Sequence, residues 1–186
     1  MTTAFIVEGH MEQKIIQRLC PGVTVRRIGV NGDHVELSTM AKHIAAQIEL
    51  LNNRHYPINI IFDREKRSHD SSSIIELTTE LIEKHEIARE QFNLFVPDRT
   101  IENWILPFLN PDCSINTSMI VKDGCEGCDG KSEVKAVFRQ NKLRYVETVQ
   151  GVDLFCALNP SLLAETSPTF RPLKDKLDSN CRWLVR

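Results

Sequence analysis

Two apolar runs of this chain end in acids. Ala4-Phe-Ile-Val is followed by Glu8-Gly9-His10-Met11-Glu12, and Ile58-Asn-Ile-Ile-Phe62 by Asp63-Arg64-Glu65. At the carboxyl ends of neighbouring parallel strands these side chains would meet in the crevice where open α/β sheets build their sites. Several carboxylates together can hold a hard divalent cation, which points to magnesium-dependent phosphodiester chemistry. Glu8 and Glu12 are four apart, so a helix beginning at Gly9 aims both back at the strand tip, and Gly9 lets backbone approach a ligand with no Cβ in the way. Asp63 and Glu65 are two apart and share one side of an extended segment. Four acids packed together raise one another's pKa, so a cation or a basic neighbour is expected among them. A lone Asp-x-Glu at a strand end is more often a turn or a helix cap. Two acidic tips on successive strands, with Glu12 behind them, shift the reading to a site.

The elements that must position these residues alternate in type. Thr3–Val7, Val23–Val30, Ile58–Phe62 and Phe92–Val96 read as strands. Helical spacing of apolar residues falls between them, over Met11–Leu19, Glu36–Leu51, the stretch from Ser71 to about His85, and Thr100–Leu109. Leu37, Met40, Ala41, Ile44, Ala45, Ile48 and Leu51 make the second of these the clearest helix. A repeated strand–helix alternation predicts the α/β class, with a four-stranded parallel sheet and right-handed crossovers. From Asn110 to Gly130 the pattern lapses into a Pro-, Asn-, Gly- and Cys-rich segment expected to be a long loop. Helical spacing returns over Lys131–Arg139, Val152–Leu158 and about Thr169–Leu177. The division expected is therefore a core over residues 1–109 and a loop with a helical appendage over 110–186.

Composition narrows the classes. With 186 residues, a net charge of −2 and 23 Lys and Arg against 25 Asp and Glu, the chain is not a wholly basic nucleic-acid wrapper. No apolar run reaches the roughly 20 residues of a membrane span and no export sequence is evident, so a cytoplasmic protein away from membranes is expected. Six cysteines are expected to be reduced in that compartment. Cys125-Glu-Gly-Cys128 has the gap of a zinc half-site, with Cys113 or Cys181 as possible further ligands. A second closely spaced pair is missing, so a structural zinc is not expected.

Strand, Glu8-Gly9-x-x-Glu12, helix, and then Ile60-Ile61-Phe62-Asp63-x-Glu65 resemble the catalytic core of the Toprim domain, shared by topoisomerases, bacterial primases, small 5S-rRNA maturation nucleases and the overcoming-lysogenization-defect (OLD) nucleases. The resemblance spans roughly residues 3–109 and implies a Toprim-like, Rossmann-like sheet. It implies that Glu8 serves as metal ligand or general acid/base and that Asp63 and Glu65 bind Mg2+ or Mn2+. Glu65 stands where most members have a second Asp. OLD-type nucleases also carry an acid matched by Glu12 and a lysine at a later helix start, for which Gly130-Lys131 is the candidate. Glu102, in Ile101-Glu102-Asn-Trp104, resembles the acid that follows the fourth strand in small OLD-like proteins, and is preferred over Asp98 as a site residue. The resemblance implies a metal-dependent nuclease, possible work in phage defence, and a separate ATPase chain as partner, since no Gly-x-x-x-x-Gly-Lys-Ser/Thr loop occurs here.

In physical terms, two divalent ions about 4 Å apart, held by Glu8, Glu12, Asp63 and Glu65, would serve an in-line phosphodiester displacement. Lys131 would meet the charge developing on the phosphoryl group. Arg64 and Lys66 flank the acids and are expected to contact the substrate backbone, while Lys135 and Arg139 read equally well as a solvated helix face. Tyr56 and Tyr145 fit no strand-passage motif. A phosphatase with Asp63 as nucleophile would want a second Asp two positions on, which is absent. The alternative is a non-catalytic Toprim-like module that binds nucleic acid or a partner.

Overall fold

A computed structural model describes residues 2–32, 34–116 and 125–176. Four strands, β1 (Thr2–Val7), β2 (Thr24–Arg27), β3 (His55–Ile61) and β4 (Phe92–Phe95), form one all-parallel sheet in the order β2-β1-β3-β4. The chain steps from β1 outward to β2, then crosses back past β1 to β3 and continues to β4. Strand order therefore reverses between β1 and β3, and the crevice beyond their carboxyl ends is where such sheets place ligands. Register sets the tips level: Val7 lies beside Ile61, and Ile61 beside Phe95. The acids Glu8 and Asp63 follow those two central tips.

Both faces of the sheet are covered, which accounts for the nearly unbroken apolar runs of β1 and β3. Ala4, Ile6, Ile58 and Ile60 pack against α2 (Leu37–Leu51) and α3 (Ser71–Glu83). The buried face of α2 carries Met40, Ala41, Ile44, Ala45, Ile48 and Leu51, the spacing that predicted the helix. Phe5, Val7 and Ile61 on the opposite face pack against α1 (His10–Leu19) and the later helices. These are α4 (Glu102–Ile105), α5 (Gly130–Gln140), α6 (Val152–Ala157), α7 (Pro160–Thr166) and α8 (Arg171–Lys176). Trp104, fully buried, joins this half through Phe155 and Phe170 and donates its indole N–H to Thr169 at 2.9 Å. The helices beyond residue 130 thus share one core with the sheet face.

Three expectations about elements are corrected. The second strand is four residues long, because Gly29 takes a positive φ and turns the chain before Val30 can pair. The helix expected over Thr100–Leu109 has one α-helical turn, α4, and closes as a 3-10 turn over Leu106–Phe108, where Pro107 has no N–H to give. Helix α7 was not foreseen; Asn159 caps it by accepting from Ser161 and Leu162, and Pro160 occupies its first turn. Leu177, the expected end of the last helix, and Cys181 lie outside the described residues. Cys20 is disulfide-bonded, correcting the expectation of six reduced thiols, while Cys113, Cys125, Cys128 and Cys156 are free. No helix among the described residues is long and apolar enough to cross a membrane.

Candidate functional site

Glu8 leaves β1 as a buried side chain whose two oxygens each take a backbone amide. Oε1 accepts from Gly32 at 3.0 Å and Oε2 from Asp63 at 2.9 Å. One carboxylate thereby fixes the loops after β2 and β3 to the tip of β1. Arg67 reinforces the same junction from outside, donating to the carbonyls of Asp63, Arg64, Gly32 and Val35 at 3.0–3.2 Å. The loops after β3 and β4 are tied in turn by the Glu65 amide, which donates to the Arg99 carbonyl at 2.7 Å. Glu65 and Arg99 both hold left-handed φ, 57° and 62°. For non-glycine residues this is a sparsely populated conformation that persists where the surroundings impose it.

These loops and α1, α4 and α5 enclose a cavity of about 350 Å3 at the carboxyl edge of the sheet. Glu8, Gly9, Glu12, Asp63, Glu65, Glu102 and Lys131 all line it. Glu12, in the first turn of α1, folds its carboxylate back over Gly9, so that a Cβ on Gly9 would stand 2.7 Å from Glu12 Oε2. The glycine makes room for an acid of this chain, where a ligand was expected. Glu102, 2 % exposed on α4, accepts from the Tyr145 hydroxyl at 3.2 Å. Lys131, at the start of α5, pairs with Glu147 at 2.9 Å.

Burial and mutual repulsion set the charge states. The Glu12 carboxyl is pushed up to about 7, chiefly by desolvation and then by Glu8 and Glu102. Asp63 is held well above the usual carboxylate range by burial, with Glu12, Glu8, Glu102 and Glu65 adding to it. Glu102 is raised by burial, partly offset by Lys131. Burial pulls the Lys131 ammonium down, but its hydrogen bond to Glu147 and the surrounding acids outweigh that and leave it raised. Asp63 Oδ1 is buried with no hydrogen-bond partner among the described residues. A buried acceptor left in this state is costly unless a proton or cation meets it.

Hard oxygen donors in this number suit magnesium or manganese, and the unpartnered Asp63 oxygen in the field of four other acids is the observation that fits such an ion. As the side chains stand, no three His, Cys, Asp or Glu among the described residues form a group ready to hold a metal. Cys128 Sγ donates to the Cys125 carbonyl at 2.7 Å, and burial raises the Cys125 thiol to about 11. Cys113 sits elsewhere, beside Asn141.

Two expected substrate contacts are not in the cavity wall. Arg64 is turned inward, paired with Asp98 at 2.6 Å and bonded to the Arg67 and His69 carbonyls, with 13 % of its side chain exposed. Through these contacts it braces the loop after β3. Lys66 is exposed outside the cavity. Asp98, engaged by Arg64 and the Gly127 amide, is also absent from the cavity wall, which Glu102 lines.

Sequence reasoning did not find Asn103, Tyr145 or Glu147 as site residues. Asn103 is fully buried and joins α4 to α5: its Oδ1 accepts from Thr100 and Gly130, and its Nδ2 donates to the carbonyls of Cys125 and Cys128 at 2.7 and 3.0 Å. A Cβ on Gly130 would stand 2.6 Å from the Asn103 backbone nitrogen. The Gly130-Lys131 pair is therefore a close helix contact that sets where the lysine starts. Its neighbourhood to Glu102-Asn103 was the available signal. Nothing local marks Tyr145 or Glu147, which reach the site only through the tertiary fold. No family model, curated protein or solved structure matches this chain.

Proposed function

We propose that this protein is a magnesium- or manganese-dependent nuclease of Toprim type, hydrolysing phosphodiester bonds of DNA or RNA. The observation that carries the reading is the convergence of Glu8, Glu12, Asp63, Glu65 and Glu102 on one cavity at the β1/β3 switch point, with Lys131 as the cationic neighbour. Asp63, Glu12, Glu102 and Glu65 would hold the metal, with Glu8 as a further ligand already oriented by its two amide donors. A bound divalent ion would supply neutralisation of phosphoryl charge and a more acidic water. In the metal-free protein the Glu12 carboxyl is pushed up to about 7, so a divalent ion binding there would displace its proton. Lys131 places a positive charge at the cavity wall for an incoming phosphate.

The second reading is a non-catalytic module of the same fold that binds nucleic acid or a partner. It is favoured by one observation: both Glu8 oxygens already serve backbone amides. Calorimetric titration with manganese and magnesium, together with cleavage of end-labelled DNA and RNA, separates the two. The nuclease reading expects metal binding that Asp63→Asn abolishes and cleavage that follows it. A folded protein that binds neither ion and cuts neither polymer would overturn it.

A further inference from the structure

Lys131 and Lys135 stand one turn apart on α5, and both reach the same oxygen of Glu147, at 2.9 and 3.4 Å. Two ammonium groups converging on one carboxylate oxygen make a small anion seat, and Lys131 and Glu147 lie in the cavity wall. A carboxylate and a phosphodiester offer the same charge and accept the same hydrogen bonds. The side chains of Lys131, Lys135 and Glu147 are 37, 43 and 35 % exposed, so the pairing is weakly held and open to replacement by another anion.

The segment bearing Glu147 is anchored without it. Tyr145 donates to Glu102, Val146 N–H to the Gln150 side chain at 2.9 Å, and Lys14 Nζ to the Thr148 carbonyl at 3.1 Å. Glu147 can therefore release the lysines while the wall keeps its shape.

We propose that the Lys131–Lys135 pair is the seat of a nucleic-acid phosphate and that Glu147 occupies it in the free protein, as a built-in competitor that the substrate must displace. This rests on the nucleic-acid reading above, and it gives Lys135 and Glu147 roles in affinity that the acid cluster alone does not assign. Free inorganic phosphate would enter the same seat.

The test measures binding of fluorescein-labelled single-stranded DNA and RNA oligonucleotides to the whole chain by anisotropy, in chelator and across a salt series, with inorganic phosphate as competitor and thermal melting as the control for folding. Glu147→Gln should tighten binding about fivefold and steepen the dependence of log K on log salt by about one, because a lysine pair is freed for phosphate. Adding Lys135→Ala should remove the gain. An unchanged affinity and slope in folded Glu147→Gln overturns the proposal, as does a gain that survives Lys135→Ala or binding of phosphate with no binding of either oligonucleotide. Should Glu147→Gln fail to fold, Lys135→Ala alone decides: the salt slope should flatten by about one, and an unaltered slope counts against the seat. Metal-dependent cleavage by the unaltered chain judges the nuclease reading separately.

Discussion

Glu8 and Asp63 are joined tip to tip: the Glu8 carboxylate accepts the Asp63 amide at 2.9 Å across the β1/β3 boundary. The acid that heads the first motif is thus a structural bracket for the second. Replacing it as Glu8→Gln puts an NH2 group against one of two amide donors and leaves that donor buried and unpaired, at a cost of about 1–3 kcal/mol. For a chain of this size the melting temperature should fall by about 2–4 °C per kcal/mol. Glu12→Gln should behave oppositely in metal-free protein, because it removes a buried charge that its neighbours repel. Its melting temperature should hold or rise at neutral pH, while metal affinity falls. Paired melting curves in chelator check the contrast.

Stability should depend on pH with the sign of a raised carboxyl. Glu12 titrates at about 7 in the folded protein against 4.5 for the unreacted group, and Asp63 and Glu102 shift the same way. Between those pH values the folded state binds more protons than the unfolded state, so the Glu12 contribution makes stability fall as pH rises from about 4.5 to about 7, and Asp63 and Glu102 add to the fall. The Glu12 share is on the order of a few kcal/mol. Magnesium, binding the ionised folded form, should restore part of the loss at pH 7 to 8 and make the melting temperature depend on metal concentration. Melting curves across this pH range, with and without magnesium, should converge at low pH and separate at high pH; parallel curves would count against a metal at these acids.

The alternation of strands and helices was legible because both faces of the sheet are covered. The buried stretches Ala4–Val7 of β1 and Ile58–Ile61 of β3 are apolar but for Asn59, and α2 shows its buried stripe directly. The acidic tips were legible because Glu8 and Asp63 each close an apolar run, and Val7 and Ile61, beside each other in the sheet, bring the ends of those runs together. The placement of Arg64 was not legible: it adjoins Asp63 in sequence, but its guanidinium pairs with Asp98, from the loop after β4, outside the cavity wall. Tyr145 and Glu147 carry no local mark at all, since they reach Glu102 and Lys131 from beyond α5.

Gly130→Ala should separate the placement of Lys131 from its charge. The added Cβ would meet Asn103 backbone nitrogen at 2.6 Å and Cα at 2.9 Å, atoms that cannot rotate away. The start of α5 must move instead, at about 1–3 kcal/mol, and carries Lys131 with it. Cleavage should drop while the salt dependence of oligonucleotide binding, which counts charges, stays the same. Denaturant unfolding and binding titrations measure the two effects.

Gly9→Ala probes the site with little demand on the fold. Gly9 has φ −114° and ψ −178°, extended backbone that alanine adopts freely. The three atoms nearest its new Cβ all belong to the end of the Glu12 side chain, with Oε2 at 2.7 Å. That carboxylate can swing aside by rotating its χ angles, so the melting temperature in chelator should stay close to that of the parent. The displaced Glu12 no longer faces Glu8 and Asp63 as it did, and the affinity for manganese should weaken by about tenfold or more, equivalent to about 1.4 kcal/mol. Calorimetry on Gly9→Ala beside Glu12→Gln tests this directly: similar losses from both would place the effect in the Glu12 carboxylate, whereas unaltered affinity in Gly9→Ala would remove Glu12 from the metal's ligands.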